Sequence, residues 1–239
     1  ASNPKICADS TGRVSVTWSE SLFVLKRWSG STWEELGRAA TSGGSPLTGA
    51  SGYEGPVLVD SQDRIYVCLK RSPGLELNLA RWTGSAWEII GNAADGMSQS
   101  GYQFEDLVIG PGDVPCVALL NTSTLKIVVK RRVGTTWEDL GGPTDLRRAN
   151  TSLAVTASGT PLLAYWTWMM QYGNREIFVY QWNGGTTWGA GPGTTGSGNF
   201  TNTRLGSYMG VFLETRTGTN FMAWLDGAVK LPEFAIDWR

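Results

Sequence analysis

Residues 27–37 read RWSGSTWEELG. Nearly the same phrase returns as RWTGSAWEIIG at 81–91, as RRVGTTWEDLG at 131–141 and, one residue longer, as QWNGGTTWGAG at 181–191. A catalytic motif is needed once per chain, so a phrase used four times marks a building unit. Its first aromatic position holds Trp28, Trp82, Arg132 and Trp182, in steps of 54, 50 and 50 residues. Its second holds Trp33, Trp87, Trp137 and Trp188. A period near fifty fits a four-stranded propeller blade. Helical repeats of that length need long amphipathic stretches, whereas the apolar runs here are short, rich in Val, Ile, Thr and aromatics, and broken by Gly, Ser and Asn.

A hairpin precedes each phrase: KICADSTGRVSVTW (5–18), PVLVDSQDRIYVCL (56–69), DLVIGPGDVPCVAL (106–119) and SLAVTASGTPLLAY (152–165). Each is an apolar run, a turn of Asp, Ser, Gly or Thr, and a second apolar run, which predicts the first two strands of a blade. The third strand leads into the phrase through LFVLKRW (22–28), LNLARW (77–82), LKIVVKRR (125–132) and EIFVYQW (176–182). The fourth starts at the second tryptophan, so W-x-G-x-x-W is the turn between strands three and four.

A fifth unit is worn. VFLETRTGTNFMAW (211–224) matches the hairpin, with Trp224 where the first copy has Trp18. Either FAIDWR then supplies the third strand and the fourth is missing, or 201–206 is a first strand and the blade is complete. The expected fold is an all-β, five-bladed β-propeller of four-stranded antiparallel blades, the fifth degenerate or incomplete. It is expected to form a single domain over 1–239, with blades at roughly 1–50, 51–101, 102–150, 151–200 and 201–239.

Composition agrees: 31 Gly, 12 Trp and 17% charged residues in 239. A net charge of −1 leaves no electrostatic footprint for nucleic acid. No apolar run approaches the roughly 20 residues of a membrane helix. The opening residues carry no signal-peptide pattern, and a start at Ala1 fits a mature form whose leader is gone. The chain has no histidine, which removes the commonest general base, the Ser/His/Asp triad and every His-containing zinc site. No metal or cofactor is expected.

The repeated tryptophans Trp28, Trp33, Trp82, Trp87, Trp137, Trp182 and Trp188 are expected to be structural, packing blade on blade, with Gly30, Gly84, Gly134 and Gly184 making the turns. The competing reading is that their faces stack on sugar rings. The phrase resembles the tandem W-x-G-x-x-W repeats of bacterial and phage-type secreted propellers and, more loosely, the W-D-G-x-x-W repeats of tryptophan-rich propeller lectins that bind fucose. That resemblance implies a secreted or cell-surface location. The lectins pair an Arg and a Glu with each sugar; here Arg27, Arg81 and Arg131 recur, the fourth copy has Gln181, and the Glu is not kept. The S-x-D-x-G-x-x-W turn of sialidase-type propellers is missing, and Asp9 and Asp60 read as turn formers.

Recognition is therefore expected on the opposite rim, in the long polar loops 38–54, 92–105, 143–150 and 189–210. Tyr53, Tyr102 and Tyr208 close three of these loops and either plug the centre or touch a ligand. Trp168 and Tyr172 lie in the stretch WTWMMQY (166–172), read as a loop that either folds under or forms an exposed apolar patch. Trp18 and Trp224 complete the ligand-binding candidates. Three cysteines, Cys7, Cys68 and Cys116, give no paired framework and read as small buried hydrophobes. Three glycosylation sequons start at Asn121, Asn150 and Asn199. The function expected from sequence is a non-enzymatic extracellular binding module for a glycan or protein partner at the loop rim. The alternative is a structural subunit that assembles with other chains and whose incomplete blade a partner covers. Glycoside hydrolysis ranks a distant third.

Overall fold

A computed structural model of the chain describes residues 2–19, 23–38, 50–71, 76–143, 151–169, 174–191, 211–216, 219–224 and 236–238. At 2–3, 38, 50–54, 71, 166–169, 174–177 and from 211 onward it describes the backbone alone. Each repeat folds as an antiparallel sheet with its strands in chain order. The first sheet is β1 (Ser2–Ala8), β2 (Val14–Ser19), β3 (Phe23–Trp28) and β4 (Trp33–Arg38). The second is β5 (Ala50–Val59), β6 (Ile65–Arg71), β7 (Glu76–Trp82) and β8 (Trp87–Gly91). The third is β9 (Tyr102–Gly110), β10 (Val114–Asn121), β11 (Lys126–Val133) and β12 (Thr136–Asp139). The fourth is β13 (Thr151–Val155), β14 (Pro161–Met169), β15 (Asn174–Gly184) and β16 (Thr187–Ala190). The fifth has three strands among the described residues: β17 (Val211–Arg216), β18 (Thr219–Trp224) and β19 (Ile236–Trp238). The worn repeat thus contributes its hairpin at 211–224 and a third strand from the final segment.

Two expectations about loops need correction. Trp166–Met169 are not loop but the end of β14, each residue paired across to β15, from Trp166 opposite Ile177 to Met169 opposite Asn174. The alternation of Trp, Thr, Trp and Met suits a pleated strand, so the hairpin keeps pairing instead of opening. The first strands of the second and third sheets also start early. Tyr53 lies inside β5, opposite Leu69, and Tyr102 is the first residue of β9.

The repeated phrase forms the turn that its spacing predicts. Trp28 stands opposite Trp33 and Trp82 opposite Trp87, with ring centroids 5.5 and 5.6 Å apart. The Ser29 amide donates to the Thr32 carbonyl at 2.9 Å, and Thr83 to Ala86 at 3.0 Å. Closing so tight a turn takes a left-handed residue, and Gly30 and Gly84 supply it at φ 105° and 103°.

The second tryptophan of the phrase ties one sheet to the one before it. Trp87 Nε1 donates to the Leu36 carbonyl at 2.8 Å, Trp137 to Ile90 at 3.0 Å and Trp188 to Leu140 at 2.8 Å. Each acceptor lies three residues past the preceding sheet's own tryptophan. These bonds satisfy the indole N–H that burial would otherwise orphan.

The chain divides into two compact units, Ala1–Phe104 with Arg132–Glu138, and Glu105–Arg131 with Asp139–Arg239. In the first, Phe23 and Leu25 of β3 pack with Val57, Ile65, Val67, Leu69, Ala80 and Trp87. In the second, Cys116, Ala118, Ile127, Val129 and Leu140 pack with Leu153, Val155, Leu163 and Tyr165. Burying each large side chain contributes about 1.5–3 kcal/mol. All three cysteines are free thiols; Cys68 and Cys116 are buried. In the Asn150 sequon Ser152 is buried in β13, whereas Asn121 sits at the exposed end of the β10–β11 hairpin.

Candidate functional site

The aromatic candidates are spread over all five sheets. Trp18 on β2 stands opposite Val24 and is half-buried. Tyr102 is half-buried, its amide donating to the Gln99 carbonyl at 3.2 Å. Tyr53 is on β5, Trp168 on β14 opposite Arg175, and Trp224 on β18 opposite Val211. Tyr172 and Tyr208 lie outside the described residues.

The loop ahead of Tyr102 is built by its own side chains. Asn92 Oδ1 accepts from the amides of Ala94 at 2.7 Å and Asp95 at 3.3 Å. Asp95 Oδ1 accepts in return from Asn92 at 2.9 Å and Met97 at 3.2 Å. Ser98 Oγ donates to the Leu77 carbonyl at 2.9 Å, and the Trp137 amide donates to the Asp95 carbonyl at 3.2 Å. Such reciprocal Asx bonds replace a regular ladder and hold the loop in one shape.

The hairpin turns hold the charged clusters. Asp9 Oδ1 accepts from the Thr11 and Arg13 amides at 3.0 and 2.9 Å, and Oδ2 from Arg13 Nε at 2.7 Å. Burial alone would push this carboxyl up, but the bonds from Thr11 and Arg13 hold it below the usual carboxylate range. Asp60 repeats the arrangement with Gln62 and Arg64, and its Oδ2 also accepts from the Tyr66 hydroxyl at 2.7 Å. Arg81 then reaches the Tyr66 oxygen at 3.4 Å and Glu88 at 2.6 Å. Burial raises the Tyr66 hydroxyl first, so it keeps its proton and donates it to Asp60. With both carboxylate oxygens of Asp60 engaged and Tyr66 fully buried, this network braces a turn and offers a substrate no open group. Asp9 and Asp60 therefore form turns, as their spacing implies.

Asp106 is different, and the repeat pattern passed over it. It occupies the position held by Lys5, Pro56 and Ser152 in the other hairpins, and that mismatch was the available signal. On β9, its Oδ1 accepts from the Leu107 amide at 2.8 Å, and its Oδ2 from the Leu153 amide of β13 at 2.7 Å. Burial pushes the carboxyl up to about 6, against the bonds from Leu153, Leu107 and Ser152 that favour the charge. Because the folded value exceeds the ordinary 3.8, the linked stabilisation is complete below pH 4 and is lost as pH rises through 6. Relative to Asp106→Asn, the native chain should lose about 2 kcal/mol across that window. Paired melting curves between pH 4 and 7 check this; a constant difference would refute it.

Among the described residues no cluster of three His, Cys, Asp or Glu side chains is placed to hold a metal. No helix among them is long and apolar enough to cross a membrane.

No protein-family model matches the sequence, and no curated protein is similar to it. Solved structures are similar in fold. A Hadza microbial sialidase shares it at 15% identity and a TM-score of 0.57, over 92% of this chain and 52% of its own. The GH93 α-L-arabinofuranosidase of Fusarium graminearum does so at 12% and 0.54, over 98% and 79%. A PL25 ulvan lyase does so at 11% and 0.56, over 99% and 69%. This chain thus spans about half the length of the sialidase. These neighbours are enzymes by name, and they correct the sequence-based expectation of a non-enzymatic binding module, with its alternative of a structural subunit. At such identities the likeness carries the architecture: this chain has the all-β propeller fold.

Proposed function

We propose that the chain is the propeller of a carbohydrate-active enzyme that cleaves glycosidic links, working outside the cell. The carrying observation is that its fold, over nearly the whole chain, is shared with a sialidase, an arabinofuranosidase and an ulvan lyase. The chain's own chemistry narrows the means. Without histidine, proton transfer falls to carboxyl and phenol groups, and glycoside cleavage is commonly run by carboxyls. Asp106, with both oxygens already accepting main-chain amides, ties β9 to β13 and is no more open to a substrate than Asp60. Tyr102, Trp168 and the other rim aromatics are then candidates for stacking on sugar rings.

The test is a screen of the purified chain on sialosides, arabinan and ulvan, reading reducing ends and the ultraviolet absorbance of unsaturated products. Activity on one class is expected. A folded chain inert on all three classes defeats the proposal.

A further inference from the structure

The first aromatic position of the repeated phrase is Trp28, Trp82 and Trp182, but in the third copy it is Arg132. β11 ends at Val133 and β12 begins at Thr136, so Arg132 stands opposite Trp137, as Trp82 stands opposite Trp87, and shares its face. That face meets the second sheet, where Trp137 Nε1 donates to the Ile90 carbonyl, and Arg132–Glu138 belongs to the same compact unit as that sheet. On the second sheet the side of Trp82 packs the other way, where Trp87 reaches Leu36. The side that meets Arg132 is therefore that of Arg81, which stands opposite Tyr66 and Glu88. The next joint shows what this pair of positions holds elsewhere. Arg131 sets its guanidinium carbon 4.9 Å from the Trp182 ring centre, alongside the bond from Trp188 to Leu140. Arg131 is the counterpart of Arg81, and Trp182 of Arg132. Exchanging tryptophan for arginine thus brings two guanidinium groups to one joint. Arg81 is matched by Glu88. Among the described residues Arg132 is in no ion pair, and its Nη1 is buried without a hydrogen-bond partner. A cation left without a partner weakens the joint where a tryptophan would strengthen it, and such a breach of a repeat's own rule marks a position kept for function.

We infer that Arg81 and Arg132 form a binding point for an oxyanion, the carboxylate or sulfate group of an acidic sugar. Two arginines against Glu88 leave a positive charge over, because the nearby Asp60 is already matched by Arg64. The point is open to solvent: the side chains of Arg81 and Glu88 are 22% and 41% exposed, and Arg132 is half-buried. A planar guanidinium offers an oxyanion two parallel N–H bonds, so the exposed edges of two such groups suit one anion better than an ammonium would. Binding rests on these residues alone; its use in handling a glycan substrate rests on the enzymatic reading above.

Isothermal titration calorimetry of the full chain with sodium glucuronate, sodium sulfate and glucose, at constant ionic strength, tests this without turnover. Saturable binding of glucuronate is expected, and none of glucose. Sulfate bound as tightly as glucuronate assigns recognition to the oxyanion alone; weaker sulfate binding adds the sugar ring to it. Arg132→Trp restores the residue of the other copies and should raise the melting temperature while weakening anion binding by about tenfold or more. Arg132→Met, which keeps the stem and loses the charge, should weaken binding equally, and Arg132→Lys should recover only part of it. A native chain that binds neither anion overturns the proposal. So do Arg132→Trp and Arg132→Met variants that bind as tightly as the native chain, or glucose bound as tightly as glucuronate. A chain that binds the anions and cleaves no glycan defeats the enzymatic reading and leaves this one standing; a chain that cleaves glycans and binds neither anion does the reverse.

Discussion

Replacing Trp137 by alanine should cost about 4 kcal/mol of stability, while the same change at Trp33 should cost less than about 1 kcal/mol. The two residues are the same letter of the same phrase, so the difference is set by surroundings. Trp137 is buried, and its ring packs so close to Gly91 that an added Cβ there would lie 3.0 Å from Cζ2. Its Nε1 donates to Ile90, and its amide donates to the Asp95 carbonyl in the folded loop. Truncation opens a cavity and leaves the Ile90 carbonyl without its donor. Phenylalanine at 137 should recover most of the packing and leave a deficit of about 1–2 kcal/mol from the lost bond. Trp33 is half-exposed, so its removal empties little. Denaturant unfolding of the three variants separates the cases. A Trp33→Ala loss as large as that of Trp137→Ala would contradict this account of the repeat.

The second large effect is expected at a glycine. Gly142→Ala should destabilise by about 3 kcal/mol or more, because a methyl group there would lie 2.0 Å from the Ile127 carbonyl oxygen and 2.9 Å from its carbon. Those atoms are backbone and cannot rotate aside. The surrounding bonds, Leu140 amide to Val129 carbonyl and Val129 amide to Gly141 carbonyl, fix the spacing further. Gly30→Ala is the control. Its φ of 105° strains an alanine, but the added carbon meets nothing within 4 Å, so a loss of about 1–2 kcal/mol is expected. Melting temperatures of the two variants rank the effects; equal losses would mean that crowding at Gly142 is relieved by a shift of the strand.

The recurrence of the W-x-G-x-x-W phrase made the fold legible, because a turn and a strand pairing leave a mark at every copy. The worn hairpin at 211–224 was legible for the same reason. Trp166–Met169 was misread because the other three repeats turn sooner, and only pairing with Arg175 and its neighbours shows that the strand continues. The tie made by Asp106 was illegible: one aspartate on an apolar strand looks like any strand terminus, and what distinguishes it is the amide of Leu153, 47 residues away. Glycoside hydrolysis ranks last from sequence because the repeated sialidase turn and histidine are missing, and a fold shared at 11–15% identity leaves no motif in the repeat.

The joint between successive sheets asks for a tryptophan on one side only. Opposite it stands a main-chain oxygen, belonging to Leu36, Ile90 or Leu140. Every amino acid supplies that atom, so the receiving position is free to drift without weakening the bond. A duplicated or deleted module would meet its new neighbour with the joint already in working order, which gives this architecture a route to change its number of blades by copying alone.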